Sequence, residues 1–315
     1  MSILNINCKS IHAKKESFEL LITKVQPDII IGTESWLKAS DTNQGCFPVH
    51  DYDIERRDRP NDPHGGVFIA SRKDLTLQRE PELETDCEIV WCKLSLPESK
   101  SMHLAAYYMP HTNDEGSMDQ LEASLERIGN RGENILLAGD FNLPGWDWQN
   151  KQLKPACKYP YIHHRFGELL DDHNLTQIVD EPTRGKNTLD LVATNSPAKI
   201  NRVKIIPGIS DHDCPLVEID ITPIRRTQKP RKIPLYKKAR WDSFSQELIT
   251  LKDEIKSQAS TSSANQLWER FRDAIEAGTA RHIPTKMCKK KKSLPYLTLE
   301  EIRKLIHTIK KKKKK

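Results

Sequence analysis

The 315-residue sequence has no apolar run near the about 18 residues that a membrane-spanning helix needs, and phenylalanine is scarce, at seven residues. With 37% hydrophobic and 30% charged residues, it is expected to be water-soluble, with no membrane span. The first seven residues, MSILNIN, lack the basic start and long apolar stretch of a secretory signal. A chain that is not secreted, in the nucleus or cytoplasm, is therefore expected, with its thiols reduced. The seven cysteines, Cys8, Cys46, Cys87, Cys92, Cys157, Cys214 and Cys288, are odd in number and include no C-x-x-C pair. That spacing predicts neither a disulfide framework nor a zinc site. No internal repeat is visible.

What the chain does have is a strong charge asymmetry beneath a net charge of +6. Residues 1–224 carry 24 Lys and Arg against 35 Asp and Glu, a net of −11, whereas residues 225–315 carry 26 against 9, a net of +17. An acidic body with a basic tail is expected. Such a tail attracts phosphate backbones by releasing counterions, or an anionic membrane surface, and both attractions fade with salt. The plainer alternative is a solvated linker.

In the acidic part, β-rich apolar stretches predict short strands at 3–6, 28–31, 66–70, 89–94, 103–109, 135–141, 189–194, 203–206 and 216–221. Helical spacing appears at Phe18, Leu21, Ile22 and Val25, at Met118, Leu121, Leu125 and Ile128, and at Phe166, Leu169 and Leu170. Strands outnumber helices about threefold, too many for a parallel βαβ fold. The expected class is an α/β sandwich whose sheets contain antiparallel pairs. After Ile221 a basic, proline-punctuated stretch sets a boundary near residue 224. Helical spacing returns at Phe244 to Ile255, Leu267 to Ile275 and Leu299 to Ile309, the last with a Thr298/Glu301 capping box. Residues 310–315 are six lysines, which an adenine-rich tract read in frame would also encode, so truncation before a further domain is expected.

Five segments concentrate carboxylates and amides at strand ends: 4–7 (LNIN), 33–35 (TES), 139–142 (GDFN), 188–190 (TLD) and 210–212 (SDH). Asn5 and Asn7, like Asp140 and Asn142, are two apart, so on an extended strand each pair leaves one face. The chemistry that suits a pocket of this kind is phosphate-ester hydrolysis. Glu34 and Asp211 are hard oxygen ligands fit for Mg²⁺, with Mn²⁺ as an alternative. Asp140 can take a proton from water, and Asn7 and Asn142 can donate to phosphate oxygens without adding negative charge. His212 can stabilise the transition state as imidazolium if Asp190 favours its charged form.

At these residues the sequence resembles the endonuclease/exonuclease/phosphatase superfamily, whose ordered motifs L-N-x-N, T-E-S, Y-x-P, G-D-F-N, L-D and S-D-H are all present between residues 4 and 212. Within it, residues 27–37 (PDIIIGTESWL), 65–67 (GGV), 107–110 (YYMP), 180–184 (DEPTR) and 209–213 (ISDHD) are most similar to the endonuclease of non-LTR, LINE- and jockey-like retrotransposons. The resemblance implies a four-layered α/β sandwich of two mixed, largely antiparallel sheets flanked by helices, followed here by a basic helical extension. It implies Glu34 and Asp211 at the metal, Asp140, Asn142, Asp190, His212 and Tyr108 as catalytic residues, and Asn5, Asn7, Thr183 and Ser210 on the phosphate side. Asn7 stands where several abasic-site enzymes have Asp, which weighs against that specialisation. The implied activity is a Mg²⁺-dependent DNA endonuclease leaving 3′-hydroxyl and 5′-phosphate ends, as in target-primed retrotransposition. DNA is the implied partner, with RNA a further one for the basic extension. Residues 225–315 resemble, more loosely, the segment that precedes reverse transcriptase in such elements. The competing readings are a phosphodiesterase or phosphatase for lipid or inositol phosphates, and an inactive nucleic-acid-binding fragment.

Taken singly, each motif has a plainer explanation. Asp140 and Asn142 suit a turn after a strand. Trp36, Trp146 and Trp148 can stack on bases but as large aromatics more often pack a core. His163 and His164 read as surface residues, and of the neighbours Tyr107 and Tyr108 one is expected in the core and the other at the site.

Overall fold

The computed structural model describes residues 1–47, 51–98, 100–129, 134–225 and 232–287. Two compact units emerge, Met1–Arg226 and Thr227–Lys292. In the first, every predicted strand forms. Sheet one contains β1 (Ser2–Asn7), β2 (Ile29–Thr33), β3 (Tyr52–Arg57) and β4 (Val67–Arg72). Sheet two contains β5 (Leu77–Arg79), β6 (Glu88–Ser95), β7 (Ser101–Tyr108) and β8 (Asn134–Asp140). Trp146–Asp147 (β9) and Gln152–Leu153 (β10) pair as a separate ribbon. β11 (Thr176–Gln177) and β12 (Asp190–Thr194) join sheet two, and β13 (Ile200–Ile206) and β14 (Cys214–Ile219) join sheet one.

The strand orders are β13-β14-β1-β2-β4-β3 and β11-β12-β8-β7-β6-β5. Each sheet is antiparallel except for one central parallel pair, β1 with β2 and β7 with β8. This is the mixed architecture expected from the strand count. Periodicity missed the short β9–β10 ribbon and, in the two sheets, β3, β5 and β11, each of which is an edge strand. β3, YDIERR, carries four charged residues because an edge strand with a wet face needs no apolar alternation.

Three apolar layers stack the unit. Ile3, Ile31, Ile69, Val90, Leu104 and Val192 fill the space between the sheets. Leu4, Ile6 and Phe68 pack with Phe18, Leu21 and Ile22 of α1 (Ile11–Val25) on the outer face of sheet one. Tyr107, Leu137 and Leu191 pack on the outer face of sheet two with Leu121 and Leu125 of α3 (Glu115–Ile128) and Phe166 of α4 (Pro160–Asp172). A four-residue helix, α2 (Asn43–Cys46), lies between α1 and β3 in the chain. Burying each large aliphatic side chain contributes about 1.5–3 kcal/mol, so these three layers dominate the fold's stability. The layering is helix, sheet, sheet, helix.

Strand alternation then places the polar pair. Leu4 and Ile6 face α1, so Asn5 and Asn7 share the inter-sheet face of β1 with Ile3.

Among its described residues the second unit holds two helices, α5 (Trp241–Gln258) and α6 (Ala264–His282), separated by a short break as expected, and a short antiparallel pair, Lys232–Pro234 with Thr285–Met287, that the proline-punctuated stretch did not predict. Ser263 and Gln266 form a capping box at the start of α6. The third predicted helix and the terminal lysines lie outside the described residues. Among the described residues no helix is long and apolar enough to cross a membrane.

Candidate active site

The two parallel pairs end side by side, and the site is built on those ends. Asp140 closes β8 opposite Tyr108 on β7 and Asp190 on β12. Gly139 precedes it for a steric reason: at φ 153° a Cβ would lie 1.8 Å from the Tyr107 carbonyl oxygen of the neighbouring strand. On β1, Asn7 is paired with Thr33, the last residue of β2, so the next residue, Glu34, emerges beside it.

The asparagines of β1 do different jobs. Asn5 is buried, and its Nδ2 donates to the carbonyls of Gly139 (3.1 Å) and Leu191 (3.2 Å), stitching one sheet to the other. Asn7 Nδ2 donates to Glu34 Oε1 at 2.8 Å and to Asp140 Oδ2 at 2.9 Å, holding two carboxylates against one donor. Glu34 is fixed from the other side by Trp36 Nε1, 3.2 Å from Oε2. The loop behind it is tied down by Ser35 N–H to the Gly66 carbonyl and Trp36 N–H to the Gly65 carbonyl. That pairing explains why TES and GGV occur together. Glu34, Trp36 and Asn142 all have positive φ, as do Lys9 and Ser10 nearby, five of the nine non-glycine residues in that conformation among those described. Each such residue stores strain that the surrounding hydrogen bonds must offset.

Across the cleft, His212 Nδ1 lies 2.8 Å from Asp190 Oδ2 and 3.9 Å from Asp140 Oδ2, all three buried. Two hydroxyls set this geometry. Thr183 Oγ1 accepts the backbone N–H groups of Leu189 and Asp190. Ser210 Oγ donates to the Asn7 carbonyl and accepts from His212 N–H, fastening the histidine loop to β1. Thr183 is buried behind the site, whereas Ser210, although bonded to backbone, is only half-buried and lines the cleft. Asn142 donates to the Met109 carbonyl at 2.8 Å, and its backbone N–H caps Asp140 Oδ1 at 3.1 Å.

Charge follows from this packing. Burial and the neighbouring Asp190 charge push the Asp140 carboxyl well above the usual range, although His212 and the Asn142 and Asn7 donors oppose the shift. Burial alone would push His212 down, but its hydrogen bond to Asp190 and the charges of Asp190 and Asp140 outweigh burial and raise it. Burial, with Glu34 and Asp140 nearby, pushes the Tyr108 phenol up, so it stays neutral. The Arg59 guanidinium lies 5.7 Å from the centre of its ring. Both tyrosines are buried: Tyr107 packs in the outer layer of sheet two, bonded to Ser117, and Tyr108 packs in the layer between the sheets, so the pair does not divide into one core and one free residue.

Asp211 faces a different setting. Its Oδ1 meets Lys9 Nζ at 3.1 Å and its Oδ2 meets Arg184 Nη2 at 2.6 Å, at the half-exposed mouth. Partial burial raises its carboxyl, yet the bonds from Lys9 and Arg184 hold it well below the usual range. Lys9, Lys14, Trp36, Ile209, Ser210 and Asp211 line a cleft of about 400 Å³ there.

Motif reading did not assign Lys9, Lys14, Arg184 or the Trp36 contact to Glu34. The Trp two residues after Glu34 was a usable signal; lone lysines in a charged sequence were not. His163 corrects the surface reading: it is buried, donates Nδ1–H to the Tyr159 carbonyl at 2.6 Å and accepts the Gly145 N–H on Nε2 at 2.9 Å. Trp146 and Trp148 stack on each other, 4.9 Å apart, against the outer core of sheet two.

A profile described as the endonuclease/exonuclease/phosphatase family matches residues 4–212. A comparison of the sequence with curated proteins returned no match. Among solved structures, the fold is similar to the endonuclease domain of TRAS1, a telomere-specific non-LTR retrotransposon, with a TM-score of 0.56 at 16% identity, covering 70% of this chain and 98% of that one. It is also similar to the AP endonuclease LMAP of Leishmania major, with a TM-score of 0.57 at 14% identity over 72% of this chain and 88% of that one. A 3′ phosphatase, NExo of Neisseria, bound to a product DNA hairpin, has a TM-score of 0.54 at 16% identity over 70% and 99%.

Proposed function

The chain belongs to the endonuclease/exonuclease/phosphatase family, and from that membership and the geometry of its cleft we propose that it is a Mg²⁺-dependent DNA endonuclease cutting phosphodiesters to 3′-hydroxyl and 5′-phosphate ends. The observation that carries the reading is the single Asn7 amide clamping Glu34 and Asp140 together beside the Asp190–His212 pair. The similarity to the TRAS1 endonuclease domain favours DNA as the substrate.

The donor set fits a hard divalent cation. Glu34, Asp140 and Asp190 bring three carboxylates to one cleft with a single imidazole, and the buried Asn7 Oδ1 and Asp190 Oδ1 have no hydrogen-bond partner. Glu34, with the unpaired Asn7 Oδ1 beside it, would hold the ion, and Mn²⁺ could replace Mg²⁺ on the same oxygens. When bound, the ion neutralises charge that develops on the phosphate and the leaving oxygen.

The remaining work falls to this chain's own groups. Asp140, held by the Asn7 amide and the Asn142 N–H, orients a water and takes its proton as the water oxygen attacks phosphorus and the bond to the 3′ oxygen breaks. Asp190 holds Nδ1 of His212, leaving Nε2 as an imidazolium donor to a non-bridging oxygen. Tyr108, kept neutral by burial, adds a hydroxyl on the phosphate side, and Asn142 braces Asp140. Asp211 sets the charge of the mouth through Lys9 and Arg184, both its oxygens being engaged. Residues 1–224 are read as the nuclease domain and 225–315 as a basic extension that adds salt-dependent attraction to DNA or RNA.

The test is nicking of supercoiled plasmid by the full chain with Mg²⁺ or EDTA, followed by polymerase extension from the nicks. Wild type is expected to nick only with the metal and to leave ends that prime synthesis. Asp140→Asn and His212→Ala are each expected to lose at least 10²-fold in rate. Cleavage that ignores EDTA, or full activity in both variants, would defeat the reading.

A further inference from the structure

We propose that the protein carries a second metal site, for a borderline-soft divalent ion such as Zn²⁺, formed by His12, Asp41 and Cys46 outside the catalytic cleft. The three donor atoms lie within 4.8 Å of one another. His12 Nε2 is 3.2 Å from Asp41 Oδ2 and 3.8 Å from Cys46 Sγ. Zinc bonds of about 2.0–2.2 Å to nitrogen and oxygen and about 2.3 Å to sulfur, at the tetrahedral angle, put N and O about 3.4 Å apart and N and S about 3.6 Å apart. The observed separations match those two edges to within a few tenths of an ångström. An N, O, S donor set selects zinc-like ions over Mg²⁺, which takes oxygen alone.

The donors are held by their backbone rather than wandering on the surface. His12 sits in the first turn of α1, whose cap Ser10 accepts the Ala13 N–H. Asp41 accepts the Lys38 N–H at 2.9 Å, and the Arg56 guanidinium grips the Asp41 carbonyl. Cys46 ends α2, where the Thr42 side chain accepts the Gly45 N–H and the Thr42 carbonyl accepts the Cys46 N–H. Cys46 is buried, Asp41 half-buried and His12 exposed, so three ligands approach from the protein and a fourth position opens to water. On binding, the Cys46 thiol gives its proton to solvent and the thiolate takes the metal, while the His12 proton moves to Nδ1. Such an ion would clamp the start of α1 to the loop that follows Glu34. Cysteine spacing could not reveal the site, because its ligands are separated by 29 and 5 residues and come from three backbone segments.

Cobalt titration of the full, EDTA-stripped and desalted chain tests this. Wild type is expected to develop a thiolate-to-cobalt charge-transfer band with tetrahedral d–d absorption, saturating at one equivalent and bleached by Zn²⁺. Cys46→Ser should abolish the band, and His12→Ala should weaken cobalt affinity at least tenfold. Glu34→Gln should leave the band unchanged, which separates this site from the catalytic reading. Absence of the band in wild type, or its survival in Cys46→Ser, overturns the proposal. Should Cys46→Ser fail to fold, by melting in EDTA, unchanged affinity in His12→Ala overturns it instead.

Discussion

Asp211 and His212 are adjacent in the chain and occupy opposite electrostatic settings. His212 is sealed between Asp190 and Asp140, where each charge is desolvated and depends on its partner. Asp211 sits at the mouth between Lys9 and Arg184, with side chains 42–45% exposed and water free to screen them. Removing one member of a buried, hydrogen-bonded pair leaves the other unpaired at a cost of several kcal/mol, whereas an exposed pair is worth about 0–1 kcal/mol. The same peptide segment therefore carries a sealed charge that depends on its partners and an exposed charge that water can screen; in the proposed nuclease the first is catalytic and the second tunes attraction.

The sharpest way to break this contrast is Asp190→Asn. The amide oxygen can still accept from His212 Nδ1, so geometry survives while the charge that keeps the imidazole protonated is lost. We expect kcat for nicking to fall about 10²–10⁴-fold, with KM little changed. Activity within tenfold of wild type in steady-state assays would show that His212 works without its carboxylate.

A second comparison runs along β1. Asn7→Leu removes the donor shared by Glu34 and Asp140, and the Mg²⁺ concentration for half-maximal nicking should rise about 10–100-fold. Asn5→Leu, two residues earlier on the same face, removes a sheet-to-sheet stitch and strips a donor from two buried carbonyls. It should cost about 1–3 kcal/mol in urea unfolding and leave the Mg²⁺ requirement unaltered. A raised requirement in Asn5→Leu would mean that the stitch also sets the position of the metal-side groups.

Much of this was legible in the sequence because strand alternation is local. Ile3 to Ile6 and Ile135 to Phe141 declare buried strands, and the two-residue spacing of Asn5 with Asn7 puts both on one face. What alternation cannot declare is depth: it gives Asn5 and Asn7 the same standing, although one ends in the inter-sheet layer and the other at the cleft. Ser210 and Thr183 read as phosphate-side hydroxyls, yet their oxygens are bonded to the backbone that carries His212 and Asp190. The Lys9–Asp211 pair joins residues 202 apart, and His163 is buried by a loop that bends back over α4; neither leaves a periodic trace.

The smallest expected effect belongs to Asp211→Asn, and it decides what the mouth is for. Neutralising Asp211 frees Lys9 and Arg184 to meet phosphates, so DNA should bind more tightly at low salt. The slope of log affinity against log salt should steepen by about 1–2, with kcat within a few-fold of wild type. Because the folded carboxyl lies below its ordinary range, its stabilising contribution is present above that range and lost as pH falls through the lowered value. Acid-unfolding curves of wild type and variant should therefore differ slightly near neutrality and converge in strong acid. If the Mg²⁺ requirement instead rises tenfold or more while the salt slope stays put, Asp211 belongs to the metal, and the exposed triad is its resting arrangement without the ion.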